Sequence, residues 1–203
     1  MHTSLMVVDD FLDNAQAFRQ AALKLDYPEQ QGAFPGRNSR QRLNLDGVEA
    51  EVSRLVGEQV VPISPPESHA KCRITLAGDK GRGHVHIDKS YWSGILFLSL
   101  PEHCQGGTDF FRHRPTNTER APLSREELTA MSLTSFDEVY THIIERHAND
   151  PDKWEHLMRV PMRFNRLILL RPWLWHTAGP AFGDSLENGR LVYLMFFKPA
   201  NTP

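Results

Sequence analysis

The sequence of 203 residues predicts a mainly β fold with flanking helices, its two sheets wrapped round a cavity open at one end as in a jelly roll. Three observations carry this. From His69 onward, short apolar runs alternate with Gly, Pro and Asn, the pattern of an antiparallel sandwich or barrel. Helical periodicity is confined to the segment before residue 60 and to one long interval, 113–156. No repeat, low-complexity stretch or linker divides the chain, so one domain spanning 1–203 is the simplest organisation, with 1–65 as helical support and 66–203 as the core.

Taken in order, Leu5–Val8 is apolar and reads as a strand, and Phe11–Leu25 places Phe11, Ala15, Phe18, Ala22 and Leu25 at helical spacing. Asp46, with Glu49 three residues on and then Val48, Val52, Leu55 and Val56, predicts an N-capped helix over 46–59. Eight extended runs follow, near 69–77, 84–88, 93–99, 107–112, 157–163, 166–171, 173–177 and 190–198. Between the fourth and fifth, Ser124 with Glu127 and Ser135 with Glu138 form capping-box patterns, and Phe136, Val139, Tyr140, Ile143 and Ile144 make an apolar stripe. The insertion near 113–156 is therefore expected to be helical, either packed over a sheet or serving as a lid.

Composition narrows the function. Lys+Arg 23 against Asp+Glu 25 gives a net charge of −2, which supplies no global pull toward nucleic acid or anionic membrane. No stretch approaches the roughly 20 apolar residues that span a bilayer, and the N-terminus lacks a signal-peptide pattern, so a soluble, cytoplasmic protein is expected. Cys72 and Cys104 are too few for a disulfide framework or a multi-cysteine zinc site. Neither lies in a nucleophile motif, and no phosphate-cradling loop opens a helix. With no docking signature for nucleotides or peptides, a small molecule is the expected partner.

The chemistry concentrates in GHVHID, where strand alternation sets His84, His86 and Asp88 on one face. A redox-active iron(II) takes two imidazoles and one carboxylate on one side of its coordination sphere, leaving positions open. His86 and Asp88 can supply two of these, and His176, after the aromatic segment LRPWLW, can supply the third. Arg190 opens the strand RLVYLMFF, with Val192, Leu194 and Phe196 on the same face. An arginine among such neighbours calls for an anionic partner such as a dicarboxylic acid. Tyr91 and Trp92 follow Asp88, Trp175 precedes His176, and Arg112 opens the basic cluster Arg112–Arg114, so these four are the candidate substrate contacts.

These pieces resemble the 2-oxoglutarate- and iron(II)-dependent dioxygenases with a double-stranded β-helix core of eight strands, especially the small prolyl-hydroxylase-like members. The match lies in His86-x-Asp88 after a Gly-containing turn, SGILFLSL, the Gly106-Gly107-Thr108 turn into DFF, RLILL, His176 and Arg190, in the family's order over about 65–200. The resemblance implies that Fe(II) is bound by His86, Asp88 and His176 and that Arg190 holds the far carboxylate of 2-oxoglutarate. It further implies that dioxygen and the keto acid yield succinate, CO2 and a ferryl species that abstracts hydrogen from the substrate, and the small molecule expected above would be an amino acid or natural-product intermediate. The presence of Asp88 favours hydroxylation over halogenation. Where family members often carry a tyrosine on the first core strand, KCRITLAG has none, and Lys71 and Arg73 are the alternative co-substrate contacts.

Three readings compete. A cupin-type metalloenzyme would use His84 with His86, although IDKSY lacks the glutamate that such sites place next. A zinc hydrolase would use the same three donors with a bound water, but no HExxH motif is present. A non-catalytic binding module would keep the fold without turnover.

Overall fold

The computed structural model describes residues 2–30, 32, 34–63, 68–81 and 83–200. Its strands are β1 (Leu5–Val8), β2 (Arg37–Asn38), β3 (Val60–Pro62), β4 (Lys71–Thr75), β5 (Trp92–Phe97), β6 (Gly107–His113), β7 (Trp154–Pro161), β8 (Leu167–Leu170), β9 (His176–Thr177) and β10 (Arg190–Pro199). They form two antiparallel sheets. The larger runs β1-β8-β5-β10-β4-β2, with β3 also paired to β10, and the smaller runs β7-β6-β9.

β10 is the spine of the large sheet. Val192 lies opposite Arg73 on one side and Phe97 on the other. Period-two alternation sends Leu191, Tyr193, Met195 and Phe197 into a core shared with the N-terminal helices. The same alternation turns Arg190, Val192, Leu194 and Phe196 toward a cavity on the opposite face. Burial on both faces is why RLVYLMFF reads as an unbroken apolar run.

Two helices cover the first face. α1 (Ala15–Leu23) begins four residues later than the periodicity suggests, because Asn14 caps it by accepting from the Ala17 N–H at 3.3 Å. α2 (Val48–Val56) buries Val48, Val52 and Val56 against the sheet, each worth about 1.5–3 kcal/mol of burial. The expected Asp46 cap is not formed. Gly47 holds the cap position at φ 76° with no side-chain bond, and a left-handed glycine at that point turns the chain without a capping oxygen.

Seven of the eight expected extended runs contain strands, and the exception is 84–88. There the chain makes a single bridge, His86 to His176, and then leaves the ladder, with the Asp88 N–H donating to Pro172 O at 3.1 Å. β2 and β3, of two and three residues, are too short to carry a period. β7 begins at Trp154, inside the expected insertion. Only Trp154 and Val160 of it are buried, so alternation gives no signal there.

The insertion is helical as expected. α3 (Arg125–Ala130) starts at Ser124, whose Oγ accepts from the Glu127 N–H, while Glu127 binds Leu123 N and Arg120 rather than completing the box. The second box is also incomplete: Glu138 accepts from Thr134, and its own N–H donates to the Ser135 carbonyl at 3.2 Å rather than to the hydroxyl. A π-helical turn over Val139–Ile144 continues α-helically through Glu145–His147, and Val139, Ile143 and Leu128 pack with Val85, Trp154 and Trp175. Phe136 is 49% exposed and lies off this stripe. No helix among the described residues is long and apolar enough to cross a membrane.

His113 joins the insertion to β6. It is buried, with Nε2 2.9 Å from His147 Nδ1 and Nδ1 2.8 Å from Thr116 Oγ1. Burial, then the charges of His147 and Lys153, push its pKa from 6.5 down to about 4. Between those values the unfolded chain binds the extra proton, so this contribution is complete above pH 6.5 and is lost as pH falls through about 4. We expect acid to cost up to about 3 kcal/mol here. His113→Gln should show a shallower fall in urea midpoint from pH 7 to 4 than wild type, and an unchanged slope would refute this assignment.

Candidate functional site

The bridge that replaces the expected strand builds the centre of the site. His86 N–H donates to His176 O at 2.9 Å and His176 N–H donates to His86 O at 3.1 Å, a reciprocal pair that sets the two residues directly opposite one another. Their rings lie side by side, centroids 4.4 Å apart. His176 is held from its other side by β6, opposite Phe110. Two glycines permit this packing: a Cβ on Gly107 would fall 2.0 Å from Val160 O, and one on Gly179 would fall 2.5 Å from Gly107 O.

Asp88 completes the group. His86 Nε2 is 3.8 Å from Asp88 Oδ1, His176 Nε2 is 3.5 Å from Asp88 Oδ2, and one donor atom from each residue lies within 4.8 Å of the others. The ring orientations are settled by the backbone. His86 Nδ1 is 2.9 Å from His84 O and His176 Nδ1 is 2.7 Å from Leu174 O. A carbonyl can only accept, so each Nδ1 carries a proton, and Nε2 is the ring atom that each histidine turns toward Asp88. Burial, followed by the neighbouring His176, pulls the His86 pKa down to about 4 and keeps the ring neutral. Burial pushes the Asp88 carboxyl up, but His176, His86 and Ser93 together outweigh it and hold the pKa at about 2. The donor set is two imidazoles and one carboxylate, which suits a divalent ion of intermediate softness. His84 is exposed, and among the described residues it does not belong to this group.

The three residues open onto a cavity of about 410 Å³ between the sheets, within the usual range for small-molecule sites. Arg190 is 3% exposed and lines it, while its Nε and Nη2 are buried with no hydrogen-bond partner. Burial, then the nearby Arg73 charge, pulls its pKa down to about 10. Thr108, fully buried on β6, lines the same cavity, and its Oγ1 is also unpartnered. Ile95, Val192, Leu194 and Phe196 supply apolar wall. Phe34, His84, Lys89 and Asn149 contribute polar and aromatic groups to the lining.

Other expected contacts lie elsewhere. Arg73 lines the cavity, but its guanidinium donates to Phe34 O, Pro35 O and Asn38 Oδ1, tying the 34–38 segment down rather than facing an anion. Lys71 is not at the wall. Trp92 is fully buried on the helix side with Nε1 on Glu58, and both Trp92 and Tyr91 stack on the Arg171 guanidinium, at 4.0 and 4.3 Å. Trp175 packs under the insertion with Nε1 on Thr118 Oγ1, and Arg112 is paired with Glu119 and Glu155. None of these four lines the cavity. Sequence reasoning missed Thr108, Ser93 and Phe34 as wall residues. Alternation on strands of known register would have found the first two.

The architecture is shared with solved structures of other proteins. HygX from Streptomyces hygroscopicus, solved with nickel, 2-oxoglutarate and hygromycin B bound, superposes with a TM-score of 0.55 at 14% identity, covering 98% of this chain and 84% of that one. SnoK, a non-haem α-ketoglutarate-dependent carbocyclase from nogalamycin biosynthesis, superposes with a TM-score of 0.54 at 11% identity, covering 97% and 79%. At these identities the likeness is one of fold. No curated protein matches in sequence. One family model does match, over residues 1–197, so the chain belongs to DUF6445, a family of unknown function.

Proposed function

We propose that this protein is an Fe(II)- and 2-oxoglutarate-dependent oxygenase acting on a small molecule, with His86, Asp88 and His176 holding the metal. One observation carries the reading: two imidazoles and a carboxylate whose donor atoms lie within 4.8 Å of one another open onto the cavity that also contains Arg190, two of whose buried nitrogens have no hydrogen-bond partner. Iron and 2-oxoglutarate, when bound, would supply an oxidant from dioxygen at the cost of decarboxylating the keto acid to succinate and CO2.

The residues of this chain do the rest. Arg190 and Thr108 present orphaned buried donors in one cavity, which is what a carboxylate of 2-oxoglutarate would satisfy. Ile95, Val192, Leu194 and Phe196 keep water from that part of the wall. Phe34 packs on the His86 ring at 4.1 Å, and with His84, Lys89 and Asn149 it offers varied polar and aromatic contacts to a substrate such as an amino acid or natural-product intermediate. We assign the eight strands of a double-stranded β-helix to β4, the His86 bridge segment, β5, β6, β7, β8, β9 and β10, within one domain.

The test is anaerobic titration with Fe(II) and then 2-oxoglutarate. A weak visible metal-to-ligand charge-transfer band is expected, followed by succinate release on admitting air with a substrate panel. Metal-replete, folded protein that shows neither would overturn the proposal.

A further inference from the structure

The two oxygens of Asp88 have different surroundings. Ser93, 1% exposed at the start of β5, has its Oγ 2.6 Å from Asp88 Oδ2. An ionised carboxylate has no proton to give, so the hydroxyl is the donor. The Ser93 oxygen is then left to accept, and Ser90 Oγ lies 2.9 Å away, so the second bond runs from Ser90 to Ser93. A directed relay therefore ends on one oxygen of the carboxylate.

We propose that Ser93, supported by Ser90, is the positioning residue for Asp88: it engages one carboxylate oxygen and holds the side chain in the orientation that offers the metal a single oxygen. This rests on the metal reading above. β5 is well placed for the task, since it lies inside the large sheet with Ser93 opposite both Leu170 and Phe196, so the donor cannot drift. The main chain of Asp88 is pinned separately through its N–H to Pro172 O, leaving side-chain rotation as the freedom that Ser93 removes. A carboxylate free to rotate could chelate with both oxygens and occupy a coordination position needed for other ligands. One that must also satisfy a buried hydroxyl is held from doing so.

Metal-free protein titrated with Co(II) tests this by calorimetry and by the visible bands of the bound ion, which report coordination number. Ser93→Ala should bind Co(II) about 10–100-fold more weakly and with an altered spectrum, while the unfolding midpoint of the metal-free protein stays close to wild type. Ser90→Ala, which reaches Asp88 only through Ser93, should lose a few-fold, and it decides the matter if Ser93→Ala does not fold. Unchanged affinity and spectrum would overturn the inference alone. Wild-type protein that takes up no Co(II) would overturn the metal reading and this inference with it.

Discussion

Replacing His176 by alanine should remove the divalent-metal binding and the metal-dependent turnover proposed for this site. The loss expected from one of three ligands is about 3–4 kcal/mol, or about 10²–10³-fold in dissociation constant, given that structural zinc sites with four ligands hold their ion by about 10–16 kcal/mol. The effect is separable from folding because the two bonds that dock His176 against His86 are made by backbone atoms and survive the substitution. The vacated space is modest: the ring contacts His86 and Phe110, and both remain packed by their own neighbours. Calorimetry with Ni(II) or Co(II), beside urea unfolding of the metal-free variant, measures both quantities. His84→Ala is the matched control and should bind metal as wild type does. If His84→Ala lost the metal and Asp88→Ala kept it, the ligand set would be the cupin-like one.

The sequence made the two ends of this site legible to different degrees. Arg190 could be read because its strand is buried on both faces, so alternation from a long apolar run places it inward with Val192, Leu194 and Phe196. His86 and Asp88 could be read as a pair, but the face they share comes from a chain that bridges once and departs, not from a regular strand. The partnership of His86 with His176 spans 90 positions and rests on two backbone bonds that no local pattern announces. The aromatic residues beside the three candidate ligands were misleading for a reason that period two supplies. Trp92 precedes inward Ser93 on β5, and Trp175 precedes His176, so each faces away from the cavity. Arg112 shares parity with Thr108, but the register slip between Phe110 and Phe111 breaks the alternation between them. The helical N-terminal face and insertion were recoverable from spacing. Of their caps, Ser124 was recoverable and the others were not, since Gly47 replaced the Asp46 oxygen and Glu127 turned to Arg120.

Arg190→Met should separate stability from function in opposite directions. In the protein without ligands, Arg190 is a buried cation with two unpartnered nitrogens beside a second arginine, an arrangement in which desolvation is not repaid. Methionine fills similar volume without charge, and its flexible thioether suits a wall made of Ile95, Val192 and Leu194. Metal-free Arg190→Met should therefore be more stable by about 1–3 kcal/mol, a rise of several degrees in Tm for a chain of this size. The proposed binding of 2-oxoglutarate should fall by about 10²–10⁴-fold, because a charge-assisted pair with a buried carboxylate carries about 3–5 kcal/mol when one partner is removed. Co(II) affinity should stay unchanged, since none of the three proposed ligands depends on this residue. Thermal shift with and without 2-oxoglutarate reads all of this together: the wild type should gain stability from the keto acid and the variant should not. If the variant lost stability in the metal-free state, Arg190 would have to be satisfied by the protein itself. Its role would then be to hold the sheet rather than to wait for an anion.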